Sequence, residues 1–280
     1  MSATLELPLP RLTKGCFASI SALTDEALFS ACGVRIAFTL RGQGVSTGPY
    51  QSLNLGDHVG DDPFAVQENR RILCEALGAK EQFCLTPHQV HGKNILTIPA
   101  QAKDQQKFDD LAKQAKEGAD ALLVEATGIA ALLCFADCVP VIIVSPSGRF
   151  AVVHAGWRGV INKIAAKAFR QIYQLDTLNK EAVETKDINV YIGPYIHAGC
   201  FEAGKDLIDQ FAESFGFACI PDAQHIDLGA ALRISLQREG ANMKRVADAN
   251  LCTHCNTGDF FSYRAFEGVC GRHGAFAIRK

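Results

Sequence analysis

Short apolar runs and amphipathic stretches alternate along the chain, with turn-forming residues between them. Residues 121–124, 129–135, 139–145 and 150–155 are apolar runs of four to seven residues. Runs of that length bounded by turn signals read as strands buried on both faces. Residues 34–40 form another strand, followed by a loop over 41–61 rich in Gly, Ser and Asn. Residues 188–193 make a further buried strand, and 275–278 the last one. Elsewhere the period changes. Val160, Ile161, Ile164, Ala165, Ala168, Phe169, Ile172 and Tyr173 recur in pairs every four residues, which predicts one helix over 158–174. Asp62 before Pro63 supplies an N-cap and a proline at the first helical position, and Gly78 a stop, for a helix over 63–77. Residues 103–117 are highly charged and read as a solvent-exposed helix or insertion. Helices over 205–215 and 228–239 complete the pattern. The expected fold is a single α/β (α+β) domain, layered α-β-α with mixed β-sheet, since no repeat or linker interrupts the mixture. Residues 31–280 make up the domain, and 1–30 a peripheral N-terminal segment.

Composition narrows the function classes. At 280 residues with 48% hydrophobic and 21% charged positions, the chain is globular rather than disordered. Its 28 Lys+Arg against 30 Asp+Glu leave no electrostatic footprint for nucleic acid. Asp137 and Pro140 interrupt the most apolar stretch, so no run approaches the roughly 18 residues of a membrane span. The N-terminus carries Glu6 and lacks an apolar signal core, and no heptad pattern appears. The expectation is a soluble, cytoplasmic monomer. Eleven cysteines then point to reduced thiols rather than a disulfide framework. Cys16, Cys32, Cys74, Cys84, Cys134 and Cys219 read as packing residues. Cys138, Cys200, Cys252, Cys255 and Cys270 sit among polar and glycine-rich neighbours and call for another account.

Candidate chemistry lies at the ends of the core strands. QVHG (89–92), ADC (136–138) and VVHAGWRG (152–159) bring His91, Cys138 and His154 to places where strand ends can meet. Two imidazoles and one thiolate make a catalytic zinc set that keeps one position open. The bland alternative is a pair of hydrogen-bonded structural histidines. In GWRG, Arg158 falls in the first turn of a helix, where free N–H groups and a guanidinium suit phosphate or carboxylate; Trp157 could equally pack and Arg158 cap a carboxylate. CTHC (252–255) with Cys270 and His273 gives C-x2-C-x14-C-x2-H, a structural zinc spacing, although FFSYR between the pairs reads as a pocket-lining segment. GVSTG (44–48) fits G-x-S-x-G, but Pro49 and a polar loop follow where a serine-hydrolase elbow needs a helix. No P-loop, G-x-G-x-x-G or H-E-x-x-H is present, which excludes the nucleotide-cofactor and P-loop classes.

Assembled in order, SLNLGDHVGDD with ENR, QVHG, DALLV, ADCVPVII, VVHAGWRGV, IGPYIHAGCFEAG, CTHCN, and FFSYR with GRHGAFAI resemble the laccase-domain purine nucleoside phosphorylase family, long labelled polyphenol oxidases. The resemblance runs from about Val34 to the C-terminus. It implies zinc on His91, Cys138 and His154. It also implies phosphorolysis of adenosine, inosine and methylthioadenosine, with adenosine deamination as a further activity. Purine nucleosides and phosphate are then the partners. Arg158 is the first candidate for the phosphate, with Arg264 and Arg272 behind it. Ser46, Asn54 and Cys200 are secondary pocket candidates, and Asp137 would orient a metal-bound histidine or shuttle a proton. Some positions depart from the family pattern. His88 is an extra histidine, IHAGCFEAG is looser around Cys200, residues 103–117 look longer, and Cys270 and His273 are not family fixtures.

Three rival readings stand beside this one. A peptidoglycan-precursor editing amidase could use the same zinc centre, or Cys138 as nucleophile beside a histidine. Copper could occupy a His/His/Cys set, but polyphenol oxidation needs several coppers, and only eight histidines exist, none as H-x-H. A structural zinc in an interaction protein would need a fourth ligand, for which His88 is the candidate.

Overall fold

Successive side chains of a strand point to opposite faces, so a run that is apolar at every position needs apolar cover on both sides. A computed structural model, describing residues 6–179 and 181–280, shows what supplies that cover. The strands are β1 (Thr13–Phe17), β2 (Ile20–Thr24), β3 (Val34–Thr39), β4 (Cys84–Leu85), β5 (Ile95–Ile98), β6 (Ala121–Val124), β7 (Ala130–Phe135), β8 (Val139–Val144), β9 (Phe150–Ala155), β10 (Asn189–Ile192), β11 (Val246–Asp248) and β12 (His273–Arg279). The helices are α1 (Glu26–Cys32), α2 (Pro63–Ala76), α3 (Gln105–Glu117), α4 (Trp157–Ile161), α5 (Ile164–Leu178), α6 (Lys205–Phe215) and α7 (Leu228–Arg238). The strands form two six-stranded mixed sheets, ordered β1-β2-β3-β12-β7-β4 and β11-β10-β8-β9-β6-β5.

The two sheets cover each other. Phe38 of β3, Leu133 and Phe135 of β7 and Ala275 of β12 meet Leu122 of β6, Ile142 of β8, Val152 of β9 and Tyr191 of β10 in one buried cluster. The alternate residues of the second sheet, among them Leu123, Val141, Val153 and Ile192, pack against α4 to α7. Those of the first, Ala37, Leu132 and Phe276, lie under Leu73 of α2 and the loop residues Leu53 and Leu55. Each fully buried side chain of this size contributes about 1.5–3 kcal/mol, so the three interfaces dominate the stability. Gly193 permits one of the closest approaches, since a Cβ there would stand 2.3 Å from the Phe38 ring.

The result is a single mixed α/β domain with its layers in the order α-β-β-α. The sequence pattern identifies the class but points to helices on both faces of the sheet. A second sheet buries an apolar run as well as a helix does, and the pattern cannot tell them apart. Residues 1–5 of the segment read as peripheral lie outside the described residues. The rest of that segment supplies β1 and β2 at the edge of the first sheet and most of α1, and Ile20, Ala22 and Leu28 are fully buried. It therefore extends the core as well as bordering it. The charged stretch does form a helix, α3, anchored by buried Phe108 against the Phe83 ring at 5.2 Å. The helix expected over 158–174 is two helices. Lys163 takes a left-handed φ of 57° between α4 and α5. Both pieces pack on the same face of the sheet, so the four-residue repeat runs through the break. No helix among the described residues is long and apolar enough to cross a membrane.

His273 opens β12 fully buried, edge-on to Phe260, with neither ring nitrogen hydrogen-bonded. Burial, then the charges of Arg272 and Arg41, push its pKa down to about 3. Between that value and the ordinary histidine range of about 6.5, the unfolded chain binds a proton that the native state refuses, so stability falls as pH falls. Against His273→Leu, the wild type should lose about 2 kcal/mol more stability between pH 8 and pH 5. Urea unfolding of both proteins at the two pH values measures this, and equal losses would contradict it.

Candidate metal centre and adjoining cavity

Strand register places the metal-ligand candidates. Val139 pairs with Ala155, so Cys138 and Gly156 face each other one step beyond the ladder, and His154 precedes its last pair. Residues 136–138 carry the chain from β7 in the first sheet to β8 in the second. The 89–92 loop, after β4 and before β5, supplies His91. The result is that the ligand atoms of His91, Cys138 and His154 all lie within 4.8 Å of one another. Gly156 leaves room for them: a Cβ there would stand 3.1 Å from both Cys138 Sγ and His91 Cδ2. His91 at φ 57° and Asp137 at φ 85° hold left-handed backbone, a conformation that His and Asp tolerate better than most residues.

A second group orients this set. Asp120, fully buried ahead of β6, accepts hydrogen bonds from His91 N (2.9 Å) and Gly92 N (2.7 Å). The same carboxylate lies 2.9 Å from His154 Nδ1, so the neutral ring keeps its proton on Nδ1 and offers Nε2 as the ligand atom. Burial resists ionisation of the Cys138 thiol, but His154 and His91 outweigh it and bring the thiol down to about 6. Burial likewise resists a charge on His154, and Cys138 and Asp120 outweigh it, raising the imidazole to about 9. The sulfur is therefore a thiolate at neutral pH, the form that binds metal, and His154 releases a proton as an ion arrives. Two imidazoles and a thiolate on one side, with open space on the other, fit a metal ion that keeps a free coordination position.

That open side is a cavity of about 420 Å³, within the range of small-molecule sites. Trp157, Ile196, Phe201 and Tyr263 supply apolar walls, and Arg158, Arg264 and Arg272 a cationic rim. None of the three guanidinium groups has a carboxylate partner among the described residues. Arg158 stacks on Trp157 at 4.1 Å, while Arg264 and Arg272 spend their guanidinium bonds on backbone carbonyls. The cavity thus offers π faces, unneutralised positive charge and a metal set within one enclosure.

The sequence model of the multi-copper polyphenol oxidoreductase laccase family matches residues 35–280. The chain belongs to that family. Purine nucleoside phosphorylase YlmD of Geobacillus stearothermophilus is 33% identical over 256 residues, spanning 89% of this chain and 91% of the relative. Its crystal structure matches with a TM-score of 0.77 at 31% identity, covering 89% of this chain and 92% of that one. Adenosine deaminase RL5, from an unknown prokaryotic organism, is 32% identical over 257 residues, 89% of this chain and 95% of the relative.

In this laccase-family chain several candidates stand elsewhere than expected. Ser46 and Asn54 do not line the cavity. Ser46 Oγ donates to Asp61 and accepts from Asn69, in a loop followed by a short 3-10 turn, so no nucleophile elbow forms. Asn54 also bonds Asp61, and its Oδ1 accepts from Arg272 N, so it fixes the backbone beneath an arginine of the rim. Cys200 faces two other sulfurs. Asp137 lines the cavity, but its carboxylate accepts from Thr253 Oγ1 (2.6 Å) and Arg264 N (2.7 Å) and holds no histidine. Asp120 has that task, and the sequence reading passed over it: a carboxylate directly before a buried strand was the available signal. Gln89 was also missed; its amide exchanges two 2.8 Å hydrogen bonds with the Cys134 backbone, tying the QVHG loop to β7. His88 lines a smaller polar cavity that adjoins the first, with Asp57, Arg70 and Lys116. The cluster is therefore not closed by a fourth histidine, as a structural zinc would require.

Asp120→Asn keeps the shape of the site but removes the charge behind His154. It should weaken metal binding about 10- to 100-fold. Competition against a chromophoric chelator measures this, and unchanged affinity would remove Asp120 from the design of the centre.

Proposed function

We propose that the protein is a zinc-dependent purine nucleoside phosphorylase acting on adenosine, inosine and methylthioadenosine, with adenosine deamination as a second activity. The observation that carries this reading is the cavity itself, where a three-ligand metal set, aromatic walls and unpaired arginines converge. The names of the relatives, a purine nucleoside phosphorylase and an adenosine deaminase aligned over nearly their whole lengths, support the same two reactions. Eleven free cysteines suit the reducing conditions of the cytoplasm, where we place the enzyme as a monomer.

The chain's own residues divide the work. Trp157, Phe201 and Tyr263 offer faces on which a purine can stack. Arg158 takes phosphate, with Arg264 and Arg272 completing a cationic clamp, since bidentate guanidinium contacts suit its oxygens. Held below the ribose, a phosphate oxygen bonds to C1′ as the C1′–N9 bond breaks, and the base leaves with the electron pair. Positive charge preorganised around the phosphate stabilises that transition state. Asp137 positions the Arg264 loop through its two hydrogen bonds. Zinc held by His91, Cys138 and His154 would supply Lewis acidity and lower the pKa of water, the chemistry needed for water to replace the C6 amino group of a purine, which leaves as ammonia. The copper oxidase reading has less support: among the described residues only His91 and His154 share a metal-binding cluster, and multi-electron oxygen chemistry needs more imidazoles.

The test incubates metal-analysed protein with adenosine, with and without phosphate, and follows adenine, inosine and hypoxanthine by chromatography. Adenine should appear only with phosphate and inosine without it, and both should vanish in Cys138→Ala. Arg158→Ala should raise the KM for phosphate on the order of tenfold or more, the worth of one charge-assisted contact. Silence on every nucleoside at full zinc occupancy would sink the proposal and bring the amidase forward.

A further inference from the structure

Cys200, Cys252 and Cys255 form a second sulfur cluster, outside the cavity. Their Sγ atoms all lie within 4.8 Å of one another, with 3.5 Å between Cys200 and Cys255. The C-x2-C spacing pairs Cys252 with Cys255, but the partners it suggested, Cys270 and His273, are elsewhere. Cys270 packs with Ala136 and Phe261, and His273 is enclosed in β12. The third sulfur comes instead from the loop after β10.

We propose that this trio is a second metal site, binding a thiophilic d10 cation, zinc(II) or copper(I), through three thiolates. All three donors are sulfur, a set that selects soft ions. An ion bound tetrahedrally at about 2.3 Å keeps its sulfurs about 3.8 Å apart, so small side-chain rotations complete the site. The backbone is arranged for a charged sulfur as well. His197 N lies 3.4 Å from Cys252 Sγ, and the amides of His254 and Cys255 also face it. Several N–H groups directed at one sulfur share the charge of a thiolate. Cys252 is buried, Cys200 half-buried and Cys255 exposed, so an ion enters past Cys255 and rests on Cys252.

The site joins two loops that frame the cavity. Phe201, next to Cys200, is a cavity wall, and Thr253, next to Cys252, holds Asp137. Arg264 also bonds the carbonyls of Cys200 and Glu202. An ion on the trio clamps these loops without touching the reacting atoms.

The test uses the full-length Cys138→Ala protein, which lacks the sulfur of the other centre, purified under reductant. It is loaded with zinc, or anaerobically with copper(I), against a competing chelator, and bound metal is counted by mass spectrometry. One equivalent should remain and disappear on adding Cys200→Ser or Cys255→Ser, and the arm that retains it names the ion. Cobalt(II) in the same protein should give sulfur charge-transfer bands that weaken with each serine. Because Cys255 is exposed, Cys255→Ser should fold normally, and chelator should lower the Tm of Cys138→Ala but not of the double variant. No metal in Cys138→Ala, or metal that both serines leave in place, would overturn the proposal. Wild-type protein and Cys138→Ala with equal metal would instead count against the centre at His91, Cys138 and His154, so the two claims fail separately.

Discussion

Asp120 carries a negative charge in a place with no solvent, and such a group is tolerated only when hydrogen bonds replace its lost water. The backbone amides of His91 and Gly92 and the ring of His154 do so. Burial alone would favour the neutral acid, but those three partners outweigh it and hold the carboxyl below its ordinary range. One group therefore fixes the loop that carries one ligand and the ring orientation of another. It also selects the tautomer that makes His154 useful. The remaining geometry of the centre, including the glycine that makes space beside it, presupposes this anchor.

The stacked sheets explain why the anchor and its ligands meet at an open end. The chain leaves β7 and joins β8 through residues 136–138, passing between the two sheets where both terminate. A connection this short cannot close over the sheet ends. Loops around Ile196, Phe201, Tyr263 and Arg272 surround the gap and become the walls of the cavity. One metal-ligand candidate thus sits on a rigid strand and two on short connections pinned to strand ends, and longer loops set what lies opposite them.

The strands were legible because burial on both faces leaves continuous apolar runs, and the helices because their caps and periods are local. The ligand trio followed from residue type at strand ends, with the family resemblance deciding between metal binding and structural histidines. What escaped the sequence was mostly relational. Periodicity reports a buried face, so it passed over the left-handed Lys163 and also the identity of the covering layer. Asp120 looks like an ordinary residue at a strand start until the His91 loop is seen folded against it. Ser46 and Asn54 carry polar side chains fit for a pocket, yet their hydrogen bonds hold a loop together. Spacing chose Cys270 for the CTHC pair because it sees only distance along the chain, whereas Cys200 arrives from another strand end.

The left-handed backbone at His91 and Asp137 also filters which residues could replace them, whatever the chemistry. Asn, Asp and Gly adopt that conformation at little cost, and β-branched residues do not. At His91, substitutions that leave the backbone undisturbed are therefore drawn from oxygen donors or from no donor at all. Exchanging this ligand for a carboxylate would harden the centre and shift its preference towards oxygen-seeking ions. Variation that the fold accepts most readily thus moves the centre away from ions that favour nitrogen and sulfur donors, so its ion preference is constrained by backbone torsion as well as by its donor atoms.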